Sequence, residues 1–126
     1  MENRAIRGLV VDDSVVIRHT LVGILKQHLD MVRVDEACDG QEAVDAVCRE
    51  DYDIILMDWN MPNLSGIDAV RAIRALGKAT PIVMVTTESE KLRILDAIDA
   101  GANKYVLKPF TEELLIDRIK KALESA

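Results

Sequence analysis

Four apolar runs in this chain stop at residues that carry a charge or a hydroxyl: Val10-Val11 at Asp12-Asp13, Ile54-Ile55-Leu56-Met57 at Asp58, Val83-Met84-Val85 at Thr86, and Val106-Leu107 at Lys108. Each stop has an ordinary reading by itself. Asp58 can cap a turn or the next helix, Asp12-Asp13 can sit beside a positive helix end, Thr86 is a good strand former, and Lys108 can simply be exposed. Side by side they make a different chemistry. Three carboxylates within a few ångströms raise one another's pKa values, so at neutral pH they call for a hard divalent cation and a fixed ammonium. Mg2+ takes oxygen ligands, typically one or two carboxylates plus a phosphoryl oxygen, and keeps several waters. Lys108 offers a point charge suited to an anion, and Thr86 a hydroxyl that can donate to one. The set fits attack of a carboxylate on phosphorus to give an aspartyl phosphate, with the cation and Lys108 absorbing charge. Asp58, a single acid on what should be the central strand, is the expected nucleophile, and the adjacent Asp12 and Asp13 suit metal ligands.

That chemistry requires the four runs to be neighbouring strands. A short apolar run bounded by turn signals reads as a strand buried on both faces, as in a parallel sheet. Strands are predicted over residues 6–11, 32–37, 54–57, 82–85 and 105–107, the second nearer an edge because it is more polar. Between them lie helical patterns. Ile17, Leu21, Ile24 and Leu25 mark a helix over 15–28 capped by Ser14, and Ala43, Val44 and Val47 mark one that follows the Asp39-Gly40 turn. The segment 63–66 opens a third helix with Ile67, Val70 and Ile73 on one face; a fourth covers 89–100 and stops at Gly101. Thr111 caps the last, with Leu114, Leu115, Ile119 and Leu123 toward the core. Five strands alternating with five helices call for an α/β fold with a parallel sheet covered on both faces. Right-handed crossovers leave few topologies. The expectation is a doubly wound, three-layer sandwich with strand order 2-1-3-4-5, an order established for flavodoxin-like folds and adopted here from them. In such a sheet all strand C-termini share one edge, which gathers Asp12, Asp13, Asp58, Thr86 and Lys108.

A chain of 126 residues is the size of one domain, 1–126, with ordinary apolar (49%) and charged (30%) content. The net charge of −6 argues against a nucleic-acid surface and against an anionic membrane, and no apolar run reaches a membrane span. The N-terminal Met1-Glu2-Asn3-Arg4 carries no signal-peptide core, so a cytoplasmic protein is expected, with Cys38 and Cys48 as reduced, partly buried thiols. His19 and His28 lack metal-ligand partners; Met57, Met61 and Met84 read as packing; Trp59 reads as a partly exposed loop residue and a convenient reporter. Lys120-Lys121 complements a helix C-terminus.

The stretches Val10-Val11-Asp12-Asp13-Ser14, Met57-Asp58-Trp59-Asn60-Met61-Pro62-Asn63, Val85-Thr86-Thr87-Glu88 and Tyr105-Val106-Leu107-Lys108-Pro109-Phe110 carry a resemblance. From Gly8 to the last helix the chain resembles the receiver domains of bacterial two-component response regulators, and among them the single-domain chemotaxis regulators. The resemblance implies that Asp58 is the phosphoacceptor, supplied by a histidine kinase or a small phosphodonor. It implies Mg2+ held by Asp13, Asp58 and the Asn60 backbone carbonyl, with Asp12 acting through a water. Lys108 would contact the phosphoryl group and be followed by a cis bond to Pro109. Thr86 and Tyr105 would form the switch pair that passes the signal to the fourth helix, fifth strand and fifth helix, and Asn60 and Glu88 would tune hydrolysis. Ser65 stands where close relatives often have an acid, and the third-helix region is slightly shorter.

Three rivals meet residues that speak against them. An aspartyl-nucleophile phosphatase of the dehalogenase type needs a second acid two residues after the nucleophile, where this chain has Asn60. A flavin protein of the same topology wants Ser, Thr and Gly after the first strand, where Asp12-Asp13 stands. A pseudo-receiver scaffold needs none of the complete set of acids, Thr and Lys. The chain holds no DNA-binding or enzymatic module, so the expectation is output through a protein surface, or else that this is a fragment of a longer regulator. Ile94, Ile98, Tyr105, Leu107 and Phe110 are the candidates there. A CheA-like kinase and a flagellar motor switch protein are the expected partners of a monomer, with a phosphorelay in another pathway as the alternative.

Overall fold

A computed structural model describes residues 6–125. The Met1-Glu2-Asn3-Arg4 stretch lies outside these residues, as does Ala126. Among the described residues, strands and helices alternate throughout: β1 (Ile6–Val11), α1 (Val15–His28), β2 (Met31–Ala37), α2 (Gly40–Arg49), β3 (Ile54–Met57), α3 (Gly66–Ala75), β4 (Ile82–Thr86), α4 (Lys91–Ala100), β5 (Lys104–Leu107) and α5 (Glu112–Glu124). The five strands form one parallel sheet in the order β2-β1-β3-β4-β5, which matches the sequence expectation.

Every residue of β3 is buried because alternate side chains point to opposite faces and helices cover both. Ile55 and Met57 join Leu9, Val11 and Met84 in one apolar cluster with Ala43, Val47, Val70 and Ile73 of α2 and α3. Ile54 and Leu56 point the other way, joining Val10, Val83 and Val85 against Leu21 and Leu25 of α1 and Leu115 and Ile119 of α5. Full burial of one such aliphatic side chain contributes about 1.5–3 kcal/mol.

Side-chain oxygens fix most helix starts. Ser14 accepts from the Ile17 N–H (3.3 Å), Asp39 from Glu42 (2.8 Å), Ser65 from Asp68 (3.3 Å) and Thr111 from Leu114 (3.1 Å). The start of α4 differs: Glu90 occupies its cap position and makes no side-chain cap bond, and Ala97 is the one buried residue on that helix. Its C-terminal end is held instead, by Arg74 of α3. The Arg74 guanidinium donates to the Gly101 carbonyl (2.8 Å), and also to those of Lys78 (3.0 Å) and Thr80 (2.8 Å).

Three expectations about burial need correction. Trp59 is buried, only 6% exposed, because its loop folds inward and the ring joins the α2–α3 side of the core. Leu114 is exposed, since the core phase of α5 runs through Leu115, Ile116, Ile119 and Ala122, and Leu114 sits off that stripe. Cys48 is exposed on the outer face of α2, beside the inward Val47; Cys38 is half-buried as expected, and both thiols are free.

Candidate functional site

The strand ends are tied to one another by backbone bonds. The Asp12 N–H donates to the Ala37 carbonyl (3.1 Å), Asp58 to Val11 (3.0 Å) and Lys108 to Thr86 (2.9 Å), so each site residue is placed by the ladder of the strand next to it. The sheet brings Asp12, Asp13 and Asp58 together, with a carboxylate oxygen from each within 4.8 Å of the others. Asp12 and Asp58 are buried, and Asp13 is exposed.

Asp12 and Asp58 are held alike. One oxygen of each accepts from a backbone N–H: Asp12 Oδ1 from Ser14 (2.9 Å) and Asp58 Oδ1 from Trp59 (2.8 Å). The other faces Lys108, whose Nζ lies 2.7 Å from Asp12 Oδ2 and 3.5 Å from Asp58 Oδ2. Burial pushes the Asp58 carboxyl above its ordinary range; the Lys108 ammonium opposes that shift, Asp12 reinforces it, and the Trp59 N–H and Thr86 hydroxyl pull it down. A lysine shared between two acids does not neutralise three. This donor set, all hard oxygens at one mouth, fits a Mg2+ ion, with the exposed Asp13 the acid that no described bond occupies and Asp12 and Asp58 each keeping further lone pairs.

Thr86 is fully buried, and its Oγ1 accepts from the Glu88 N–H (3.2 Å). Tyr105 is half-buried on the neighbouring β5, and its hydroxyl donates to the Glu88 carbonyl (2.7 Å). Burial, with the Glu88 and Asp58 carboxylates nearby, pushes the Tyr105 hydroxyl up to about 12. The residues from Thr86 to Glu88 therefore lie between Asp58 and Tyr105, joined to the Tyr105 ring through the Glu88 backbone. Asn60 is exposed on the loop after Asp58, and Glu88 is half-buried. The Lys108–Pro109 bond is cis. Of the expected surface residues, Ile98 and Leu107 are exposed while Ile94, Tyr105 and Phe110 are half-buried.

Several neighbours of the site were not among the sequence candidates. Arg18, one turn into α1, donates from Nη1 to the Asp12 carbonyl (2.7 Å) and from Nε to Glu36 (3.1 Å), which binds the first helix to the strand end. Arg93 of α4 lies over the Trp59 ring, 5.9 Å from its centre. Gly66 approaches Asp58 so closely that a Cβ there would lie 1.8 Å from the Asp58 carbonyl oxygen. Only that last residue left a trace in the sequence, as the end of the 63–66 segment that opens the third helix.

Comparison with known proteins gives the family and the fold. The family described as the response regulator receiver domain matches residues 9–120. The chemotaxis protein CheY of Pseudomonas aeruginosa is 39% identical over 118 residues, covering 92% of this chain and 94% of that protein. The chemotaxis protein CheY-3 of Vibrio cholerae is 36% identical over 124 residues, covering 97% and 95%. Among solved structures, the response regulator domain of Thermotoga maritima CheB superposes with a TM-score of 0.85 at 35% identity, covering 96% of this chain and 98% of that one. Family match, sequence relatives and fold converge, and the chain belongs to the response regulator receiver family.

Proposed function

We propose that Asp58 is the phosphoacceptor of a switch protein, modified by a histidine kinase in a Mg2+-dependent reaction and read by a partner that binds one state better than the other. Receiver domains are phosphoacceptor switches of two-component systems. The observation that carries the assignment to Asp58 is the shared lysine: Lys108 faces Asp12 and Asp58 together, at a mouth where three carboxylates meet. An Asp58 oxygen attacks phosphorus, the P–N bond to the donor imidazole breaks, and the imidazole leaves with the electron pair. Lys108 Nζ is placed to accept the charge gathering on the phosphoryl oxygens, and the Trp59 N–H holds the other Asp58 oxygen in place. Asp13, Asp58 and the Asn60 carbonyl would hold Mg2+, with Asp12 reaching it through water. Bound there, the ion supplies the positive charge that the three acids lack.

The new dianion draws the Thr86 hydroxyl, and the Tyr105 ring responds through the Glu88 backbone that both residues bond. Phosphorylation in this reading shifts population toward one arrangement of α4 and β5. Leu92, Leu95, Ile98 and Leu107 are exposed on those two elements and form the apolar surface for a protein target. The relatives named for chemotaxis support a CheA-like kinase and a flagellar motor switch partner. Asn60, two residues after the acceptor, and Glu88, two residues after Thr86, set how fast water reaches the aspartyl phosphate in this reading.

The test is intact-protein mass after incubation with acetyl phosphate and Mg2+. One phosphoryl adduct is expected in wild type, lost when metal is chelated and absent from Asp58→Asn. An unmodified wild type, with Trp59 fluorescence indifferent to Mg2+, would instead mark a scaffold that binds its partner without phosphorylation.

A further inference from the structure

We propose that Asp39 and Asn63 are positioning residues for the acceptor loop, clamping the segment between Asp58 and Gly66 in the shape that presents Asn60 to the metal. The proposal rests on the reading of Asp58 as a Mg2+-dependent phosphoacceptor. The loop carries Asn60 and Met61 between two ties. At its far end the Gly66 N–H donates to the Trp59 carbonyl (2.8 Å), closing the loop on itself. The other tie comes from a different element. Asn63 has a positive φ of 67°, a conformation that Asn tolerates better than most residues, and its Nδ2 donates to Asp39 Oδ2 at 2.6 Å.

Asp39 is itself held fast. It is 5% exposed, and its Oδ1 caps α2 through the Glu42 N–H at 2.8 Å. The Glu42 and Asn63 donors keep its carboxyl below the usual range, so it stays ionised and the Asn63 bond is charge-assisted. Beside this pair the Gly40 N–H donates to the Leu64 carbonyl (3.0 Å), and a Cβ at Gly40 would lie 2.3 Å from that oxygen. The start of α2 and the acceptor loop thus touch backbone to backbone, with a side-chain bond alongside. A carbonyl ligand on a loop holds its place only if something rigid supports the loop, and here that support is the first turn of α2.

The test titrates Mg2+ into the protein while following Trp59, the one tryptophan of the sequence, whose N–H contacts Asp58. Adduct formation with acetyl phosphate and melting temperature are measured alongside. Asn63→Gly keeps access to positive φ and leaves charge unchanged but removes the amide; weakening of Mg2+ by about tenfold is expected. Asn63→Asp sets a second carboxylate against Asp39. Plain attraction between an added negative charge and the cation predicts tighter Mg2+, whereas loss of the clamp predicts weaker. The double variant Asp39→Asn/Asn63→Asp has the wild-type charge, and the amide at position 39 can donate to the carboxylate at position 63; recovery of most of the lost affinity is expected. Unchanged Mg2+ affinity in Asn63→Gly, whatever its melting temperature, would overturn the proposal, as would a double variant no better than the single ones. Wild type without a Mg2+-dependent adduct would overturn the acceptor reading and this proposal with it. A wild-type adduct with indifferent variants would overturn this proposal alone.

Discussion

Asp58 is strained electrostatically before anything binds it. Burial and the neighbouring Asp12 raise its carboxyl above the ordinary range despite Lys108. The sign follows from linkage. A carboxyl whose folded value is raised contributes stability that is present at low pH and is lost as pH rises through that folded value. At neutral pH the ionised Asp58 therefore opposes folding, and Asp58→Asn is expected to melt a few degrees higher than wild type in metal-free buffer. Added Mg2+ should narrow that gap by stabilising wild type; thermal unfolding of both proteins, with and without the ion, measures it. At this scale the sequence was most legible where a residue stood at a strand end, because the sheet itself then decides its neighbours. Asp12, Asp13, Asp58, Thr86 and Lys108 were legible for that reason. Asp39, Asn63, Arg18 and Arg93 were not, since their roles depend on how a loop or helix turns back on the sheet, and no spacing encodes a bond such as Asn63 to Asp39. Trp59 was misjudged for the same reason: its burial depends on the path of its loop and on packing against the α2–α3 side of the core.

Among the described helices α4 has the weakest attachment. Its first turn lacks a side-chain cap, Ala97 is its only buried residue, and Leu92, Leu95 and Ile98 face outward. Arg74 secures the other end through the Gly101 carbonyl. A helix held at its C-terminus and loose at its start belongs to the low-stability end of a domain, where switching elements are found. Glu90→Ser supplies the missing cap oxygen and is expected to stabilise the protein by about 1 kcal/mol. Hydrogen exchange should slow in the first turn of α4 and change little in α1. Boundaries were legible here to within two residues: the expected 89–100 became Lys91–Ala100, and the expected 15–28 became Val15–His28. On α5 the expected Leu115, Ile119 and Leu123 do face the core, and Leu114 alone does not. Apolar residues at 114, 115 and 116 offer three adjacent phases, and only the packing against β3, β4 and β5 chooses between them.

Across the whole molecule, stability rests on a strand with neighbours on both sides and helices on both faces. Leu56 of β3 pairs in register with Val10 and Val83 and is fully buried. Leu56→Ala is expected to cost about 2–5 kcal/mol, a large share of the 5–15 kcal/mol typical of a domain, and chemical denaturation gives the number directly. The layer arrangement was legible because a parallel sheet leaves its pattern in continuous apolar runs. The strand order came from the known fold, and the structure bears it out. That order has a consequence for synthesis. Lys108 and Asp12, which meet at 2.7 Å, are 96 residues apart in the chain, and β5 is the last strand to be made. A ribosome-bound chain that has released β1 to β4 already displays Asp58 at a strand end but has no ammonium beside it. In the proposed reading of Asp58 as phosphoacceptor, chemical competence therefore arrives with the last strand, and an unfinished copy of this protein would not draw phosphoryl groups away from finished ones.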